Sequence, residues 1–205
     1  MKIDIAIRSG LALLLMSSSL WAVEIKITEE LSSIITKHKG EEIKIERIQD
    51  PKHRLKNSFS KTSRECPPFC IQPMNIGNVK TIGELEVLSF IKAMENDSTS
   101  ILMDTRTREW YKNNTIPGAI NLPFTMLKTD SKYIDKILTL LGGEKIKNKW
   151  NFENVQKLLI FSNGQWDAQA SKAIKSLIEI GYPEDKILYY RGGMQSWQIL
   201  GLTVK

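Results

Sequence analysis

Few residues in this 205-residue chain are suited to covalent chemistry. Two cysteines, Cys66 and Cys70, stand in RECPPFCIQP, and two histidines, His38 and His53, both precede residue 79. Ser162 is placed like a nucleophile. It ends the apolar run Leu158 to Phe161 and opens a small polar loop (Asn163, Gly164, Gln165) ahead of a helix-like stretch. A hydroxyl there attacks a substrate only with a neighbouring base. The lack of histidine in residues 79–205 argues against a Ser-His hydrolase. The Gly-x-Ser-x-Gly elbow is also absent, because Ser162 lies between Phe161 and Asn163.

The cysteine pair leaves three readings. A four-residue separation can close a disulfide where the backbone curls suitably. Pro67 and Pro68 fix φ, remove donors and favour a tight, non-helical turn. Free or redox-active thiols are the second reading and a metal site the third. Two thiolates alone make a poor zinc site, and the spacing is not that of haem attachment, so no metal or cofactor is expected.

These groups need elements to position them. The strand-like runs are Ile101–Met103, Gly118–Leu122, Leu158–Phe161 and Ile187–Tyr190. They alternate with helical patterns at Ile82–Ile91, Thr129–Leu141, Trp166–Ile180 and Met194–Leu200, and a short helix over Thr107–Tyr111. Thr81-Ile82-Gly83-Glu84 reads as a capping box. Such alternation predicts an α/β fold, a mostly parallel central sheet flanked by helices, with its site at the carboxyl ends of the strands, where Ser162 falls. Ahead of it, the alternations Ile25/Ile27 and Ile43/Ile45 around Lys39-Gly40 suggest a β-hairpin. Residues 49–65 are polar and weakly patterned, like a linker or surface loop.

Composition suits one domain with an extension: 41% hydrophobic, 25% charged, and a formal charge of +6. The cations are scattered rather than striped, which argues against nucleic-acid binding. Lys2 and Arg8 precede the apolar SGLALLLMSSSLWA, the pattern of a secretory signal peptide, with cleavage expected after Ala22. Leu20 is large for the position three residues before the cut. The run is short for a membrane span, and an uncleaved anchor is the alternative. No cysteine follows for lipid attachment. The mature chain would carry +5 and no membrane span, and would meet an oxidising periplasm. The expected organisation is a signal peptide at 1–22, an extension at 23–78 and a main domain at 79–205.

Three separated segments resemble the rhodanese-like domain family. Ile101–Phe124 is similar to its strand, Asp-x-Arg turn and His-Ile-Pro-Gly-Ala-Ile-Asn segment, with Asp104, Arg106 and, at the histidine position, Thr115. The Ser162 loop is similar to its active-site loop. Arg191-Gly192-Gly193-Met194 with Trp197 and Gly201 is similar to its closing motif. CPPFCIQPM with GELEVLSF resembles an extension on some exported bacterial members. The resemblance implies a rhodanese-like fold, and it implies that the Ser162 position is that of the persulfide-carrying cysteine. A thiolate there takes the outer sulfur of thiosulfate, helped by loop amides and a helix N-terminus. Serine is a harder and far less acidic nucleophile. Asp167 suits a helix N-terminus but makes the loop less welcoming to anions. The phosphatase and arsenate reductase branch needs a cysteine and a longer basic loop, and both are missing.

The expectation is therefore an exported rhodanese-like protein without standard thiosulfate sulfurtransferase activity. It would bind a periplasmic protein or a small sulfur-containing ligand through the loop Ser162, Asn163, Gly164, Gln165, Trp166 and Asp167. Trp166 either presents an aromatic face there or packs in the core. Asp104 and Arg106 would support the loop through turn and ion-pair contacts. The alternatives are an enzyme using Cys66 or Cys70 in place of the loop cysteine, and an assembly role on a membrane complex or electron-transfer partner.

Overall fold

The computed structural model describes residues 24–205, so the expected signal segment lies outside the described residues. In chain order the elements are β1 (Ser33–His38), β2 (Glu41–Glu46), β3 (Lys80–Thr81), α1 (Glu84–Met94), β4 (Ser100–Asp104), α2 (Arg108–Asn113), β5 (Ile120–Asn121), α3 (Ile134–Leu140), β6 (Glu144–Ile146), β7 (Lys149–Asn151), β8 (Lys157–Phe161), α4 (Gln169–Ile180), β9 (Ile187–Tyr190) and α5 (Gly193–Ile199).

The main sheet has the order β3-β9-β8-β4-β5, and its pairings are parallel. Parallel strands covered on both faces need apolar side chains on both. The central strand β8 meets that demand: Leu158 and Ile160 pack on the α3/α4 side, and Leu159 and Phe161 on the α1/α5 side. Register brings the strand ends level, Asp104 opposite Phe161 and Phe161 opposite Tyr190. The segments after β4, β8 and β9 therefore emerge together. Among the described residues no helix is long and apolar enough to cross a membrane.

Several boundaries differ from expectation, each for a local reason. The N-cap of α1 is Gly83, whose N–H donates to Glu86 Oε2 at 3.0 Å, and Thr81 is drawn into β3 instead. α1 consequently buries Val87, Leu88, Phe90 and Ile91 and leaves Leu85 exposed. α3 begins at Ile134 rather than Thr129, because Ser131 closes a turn: its N–H donates to Lys128 O, and its Oγ accepts the Tyr133 N–H. α4 begins at Gln169 rather than Trp166, because Asp167 takes the Gln169 N–H on its carboxylate. β5 covers only Ile120–Asn121 of the expected Gly118–Leu122. The hairpin β6/β7, turning at Lys147-Asn148, has no counterpart in the sequence reading.

The extension is a packed part of the same body. The β1/β2 hairpin turns at Lys39-Gly40, both at positive φ, as a two-residue turn between twisted strands requires. Its first arm is Ser33–His38, not the Ile25/Ile27 segment, because Ile34, Thr36 and His38 place one face inward. Ile34, Ile45 and Phe59 join the core of α1 and α5. Ile45 and Phe59, at 0% and 2% exposure, each contribute about 1.5–3 kcal/mol of burial. The segment expected as a loose linker is thus partly core. Its Asn57 caps a 3-10 turn over Ser58–Ser60 and sends Phe59 inside.

Candidate functional site

Beneath the loop lies a buried ion pair. After β4 the chain turns sharply, and Asp104 Oδ1 accepts the Arg106 N–H at 3.0 Å. The Arg106 guanidinium grips the same carboxylate, Nη2 to Oδ2 at 2.6 Å and Nε to Oδ1 at 2.9 Å, with both side chains at 0% exposure. Such a pair is tolerated only when its remaining valences are filled. Thr115 Oγ1 donates to Asp104 Oδ2 at 2.8 Å, and Arg106 donates to Asn114 O and to Asn163 Oδ1 at 3.2 Å. Arg106 thereby holds the first loop side chain after Ser162. Thr115 completes the pair, a role its place in the sequence did not reveal.

The loop is shaped by the α5 N-terminus. Met194 N–H donates to Ser162 O and Gln195 N–H to Asn163 O, at 3.0 and 2.9 Å. That approach needs a glycine at 193, since a Cβ at its positive φ would collide with the Ser162 carbonyl oxygen. Ser162 is 2% exposed, and among the described residues its hydroxyl bonds only to the Asp167 carbonyl oxygen, at 3.4 Å. No base adjoins it. His38 sits in the hairpin, where its Nδ1 accepts the Gly118 N–H, and His53 is an exposed residue of the extension.

Asp167 holds the loop amides. Its Oδ2 accepts the Asn163 N–H at 3.0 Å and Gln169 Nε2 at 2.9 Å, and its Oδ1 accepts the Gln169 N–H at 3.1 Å. The side chain is 6% exposed. An internal carboxylate therefore sits on the N–H groups at the mouth of α4. On β9, the Tyr189 hydroxyl has no partner among the described residues, and burial pushes it up to about 12.

The extension covers this loop. Trp166 Nε1 donates to Gln195 Oε1 at 2.6 Å, and Gln195 Nε2 donates to Phe59 O at 2.9 Å. The Arg64 guanidinium lies 3.6 Å from the Trp166 ring centroid, a cation–π contact, and Phe69 meets the same ring edge-on at 5.5 Å. Burial lowers the Arg64 guanidinium from its ordinary value, and the Asp167 charge opposes that shift. Gln72 fastens the strap. Its N–H donates to Gln165 O at 2.8 Å, its carbonyl accepts from Arg191 at 2.7 Å, and its Oε1 accepts the Ser171 hydroxyl at 2.6 Å. Cys66 and Cys70 form a disulfide between Arg64 and Gln72, with Cα atoms 4.7 Å apart. As bonded, neither sulfur is a thiolate.

Ser162, Asn163, Gly164 and Asp167 are thus buried together, Trp166 is half-buried beneath the strap, and Gln165 is exposed. Asp104 and Arg106 reach the loop through Asn163. Arg64, Gln72, Gln169, Arg191 and Gln195 were missed, because their contacts lie far away in sequence or depend on the loop's curl. No group of three or more His, Cys, Asp or Glu able to hold a metal ion occurs among the described residues.

A family model for the rhodanese-like domain matches residues 87–200, and the chain belongs to that family. Among solved structures, it is similar to the rhodanese-like domain of an Anabaena protein at 23% identity. That match covers 52% of this chain and 98% of that one, with a TM-score of 0.37. It is also similar to a Bacillus halodurans protein at 21% identity, covering 62% and 76%, with a TM-score of 0.44. A third similar structure, at 18% identity, is a Rhodopseudomonas palustris protein of unknown function described as a "possible tyrosine phosphatase"; coverage is 62% and 85%, and the TM-score 0.42. No curated protein matches the chain.

Proposed function

We propose that this is an exported rhodanese-like protein that has given up standard thiosulfate sulfurtransferase activity and acts by binding in sulfur- or redox-related periplasmic processes. The observation that carries this reading is Asp167. Its carboxylate takes the Asn163 and Gln169 N–H groups that would otherwise face an anionic substrate, beside a serine hydroxyl that donates to the Asp167 carbonyl oxygen. A second anion brought to the same amides meets like charge in a buried site. The test is thiocyanate formation from thiosulfate and cyanide. Background rates are expected, and turnover by the purified native protein overturns the reading. Ser162→Cys restores a nucleophile but leaves Asp167 in place. It should gain persulfide at least tenfold more slowly than Ser162→Cys combined with Asp167→Asn, read by mass spectrometry after thiosulfate treatment. Equal rates would remove Asp167 from the account.

Export rests on the pattern of residues 1–22, with an N-terminal anchor as the alternative. Sequencing the mature N-terminus from a periplasmic fraction tests it, and an intact N-terminus in the membrane fraction would favour the anchor.

The packing of the Cys66–Cys70 turn on Trp166 supports a second reading, a sulfurtransferase or thiol-redox enzyme working from the strap. It requires reduction of the disulfide first. If reduced protein exposed to a sulfane donor gains no sulfur on either cysteine, that reading ends.

A further inference from the structure

The contacts that hold the strap on the loop cluster around one covalent bond. Arg64, which lies over the Trp166 ring, stands two residues before Cys66. Phe69, which meets that ring edge-on, stands one residue before Cys70. Gln72 stands two residues after Cys70, and its Nε2 donates to Cys70 O at 2.7 Å while its Oε1 accepts from Ser171. The Gln72 amide is thus oriented by the disulfide turn at one end and by α4 at the other.

Little else holds that turn. Pro67 and Pro68 have no N–H to give, and the one main-chain hydrogen bond within residues 64–71 runs from Phe69 N–H to Glu65 O. Phe69 and Ile71 are 41% and 81% exposed, so burial adds little. A segment with so few buried contacts opens easily once its cross-link is gone. Beneath it, Arg191 is in no ion pair among the described residues, and its Nε and Nη2 both donate to Gln72 O, at 3.1 and 2.7 Å. Lifting residues 64–72 would free this guanidinium fork, the Gln165 carbonyl and the Trp166 ring together.

We infer that the Cys66–Cys70 disulfide is a redox latch: oxidised, it holds the strap over Trp166 and Arg191, and reduced, it uncovers both. The reductant is a dithiol. Cys66 is exposed and Cys70 half-buried, so the incoming thiolate attacks Cys66 Sγ, the S–S bond breaks, and Cys70 leaves as a thiolate that takes a proton. The second thiol then resolves the mixed disulfide and frees Cys66. In sum, two electrons and two protons pass to the strap, and the dithiol becomes a disulfide. Chain entropy puts closure of so short a loop at about thirtyfold in favour of the curled form. The latch rests on the reading that this loop acts by binding. Its experiment measures cover and not thiocyanate, so the two fail separately.

The purified protein is treated with dithiothreitol without denaturant, and alkylation of both cysteines reports reduction. Hydrogen exchange at Gln72 N–H and phenylglyoxal labelling of Arg191, both read by mass spectrometry, report the cover. Each should rise at least tenfold on reduction, while β4 and β8 keep their native exchange, and reoxidation should restore both. Cys66→Ser with Cys70→Ser should match the reduced chain and ignore dithiothreitol. If that variant does not fold, the reversible reduction of the native protein still decides. Equal exchange and labelling in the two redox forms overturn the latch, as does a disulfide that resists dithiothreitol until the protein is denatured. A rise that extends equally to β4 and β8 also overturns it, by making the bond a brace for the whole fold.

Discussion

Gln195 and Gln198 stand three residues apart on α5, and the chain treats them differently. Gln195 uses both ends of its amide, accepting from Trp166 and donating to Phe59 O. Gln198 uses one, accepting from Asn57, and its buried nitrogen has no partner among the described residues. The first glutamine belongs to the loop at the carboxyl end of β8, where Asp167 already holds the Asn163 and Gln169 N–H groups. The second lies beside Leu55, Leu202 and Val204 in the wall of a surface groove. The position the family uses for chemistry is satisfied from within. A loop whose N–H groups are already answered from within is closed to a second acceptor, whatever position a family motif marks.

The largest way to break the closed half is from beneath. Arg106→Met leaves Asp104 as an unpaired buried charge and should cost about 3–5 kcal/mol in denaturant unfolding. A loss below about 1 kcal/mol would mean that the pair is not what holds the loop.

Opening the strap is a smaller change that separates the two regions. Cys66→Ser with Cys70→Ser removes a short loop closure worth about 2 kcal/mol. It should increase acrylamide quenching of Trp166, measured with the other tryptophans replaced together. Unchanged quenching would show that the strap covers Trp166 without the disulfide.

The smallest effect concerns the hairpin. Burial, followed by Lys39 and Lys205, lowers the His38 pKa below its ordinary value, and Glu41 opposes them. The unfolded chain then binds the proton more readily. The contribution of neutral His38 is complete above pH 6.5 and is lost as pH falls from there toward the lowered folded value. Stability measured across that window should decline toward acid and flatten in His38→Asn. An unchanged slope would assign the decline to other groups.

Much of the main domain was legible because its signals are local. The apolar runs of β4, β8 and β9 state their strand character within a few residues, and Gly181 marks the end of α4. Asp167 could be read as a helix-mouth acid because capping acts over two or three positions. What escaped was short or conditional. β3 and β5 are two residues each and exist only because a neighbour pairs with them. The turn closed by Ser131 overrode the helical pattern ahead of α3.

The sequence by itself determined the family, the alternation of strand and helix, and the absence of a thiol at residue 162, since each is a matter of residue type and near spacing. Only the tertiary structure decided that residues 57–72 lie across the loop and that Thr115 completes the Asp104–Arg106 pair. The same holds for the Asn57 cap that turns Gln198 into an unanswered donor. Those outcomes join groups up to more than a hundred positions apart. Which partners meet at such range is set by strand register and by how the two faces of the sheet fill, and no local pattern carries that information.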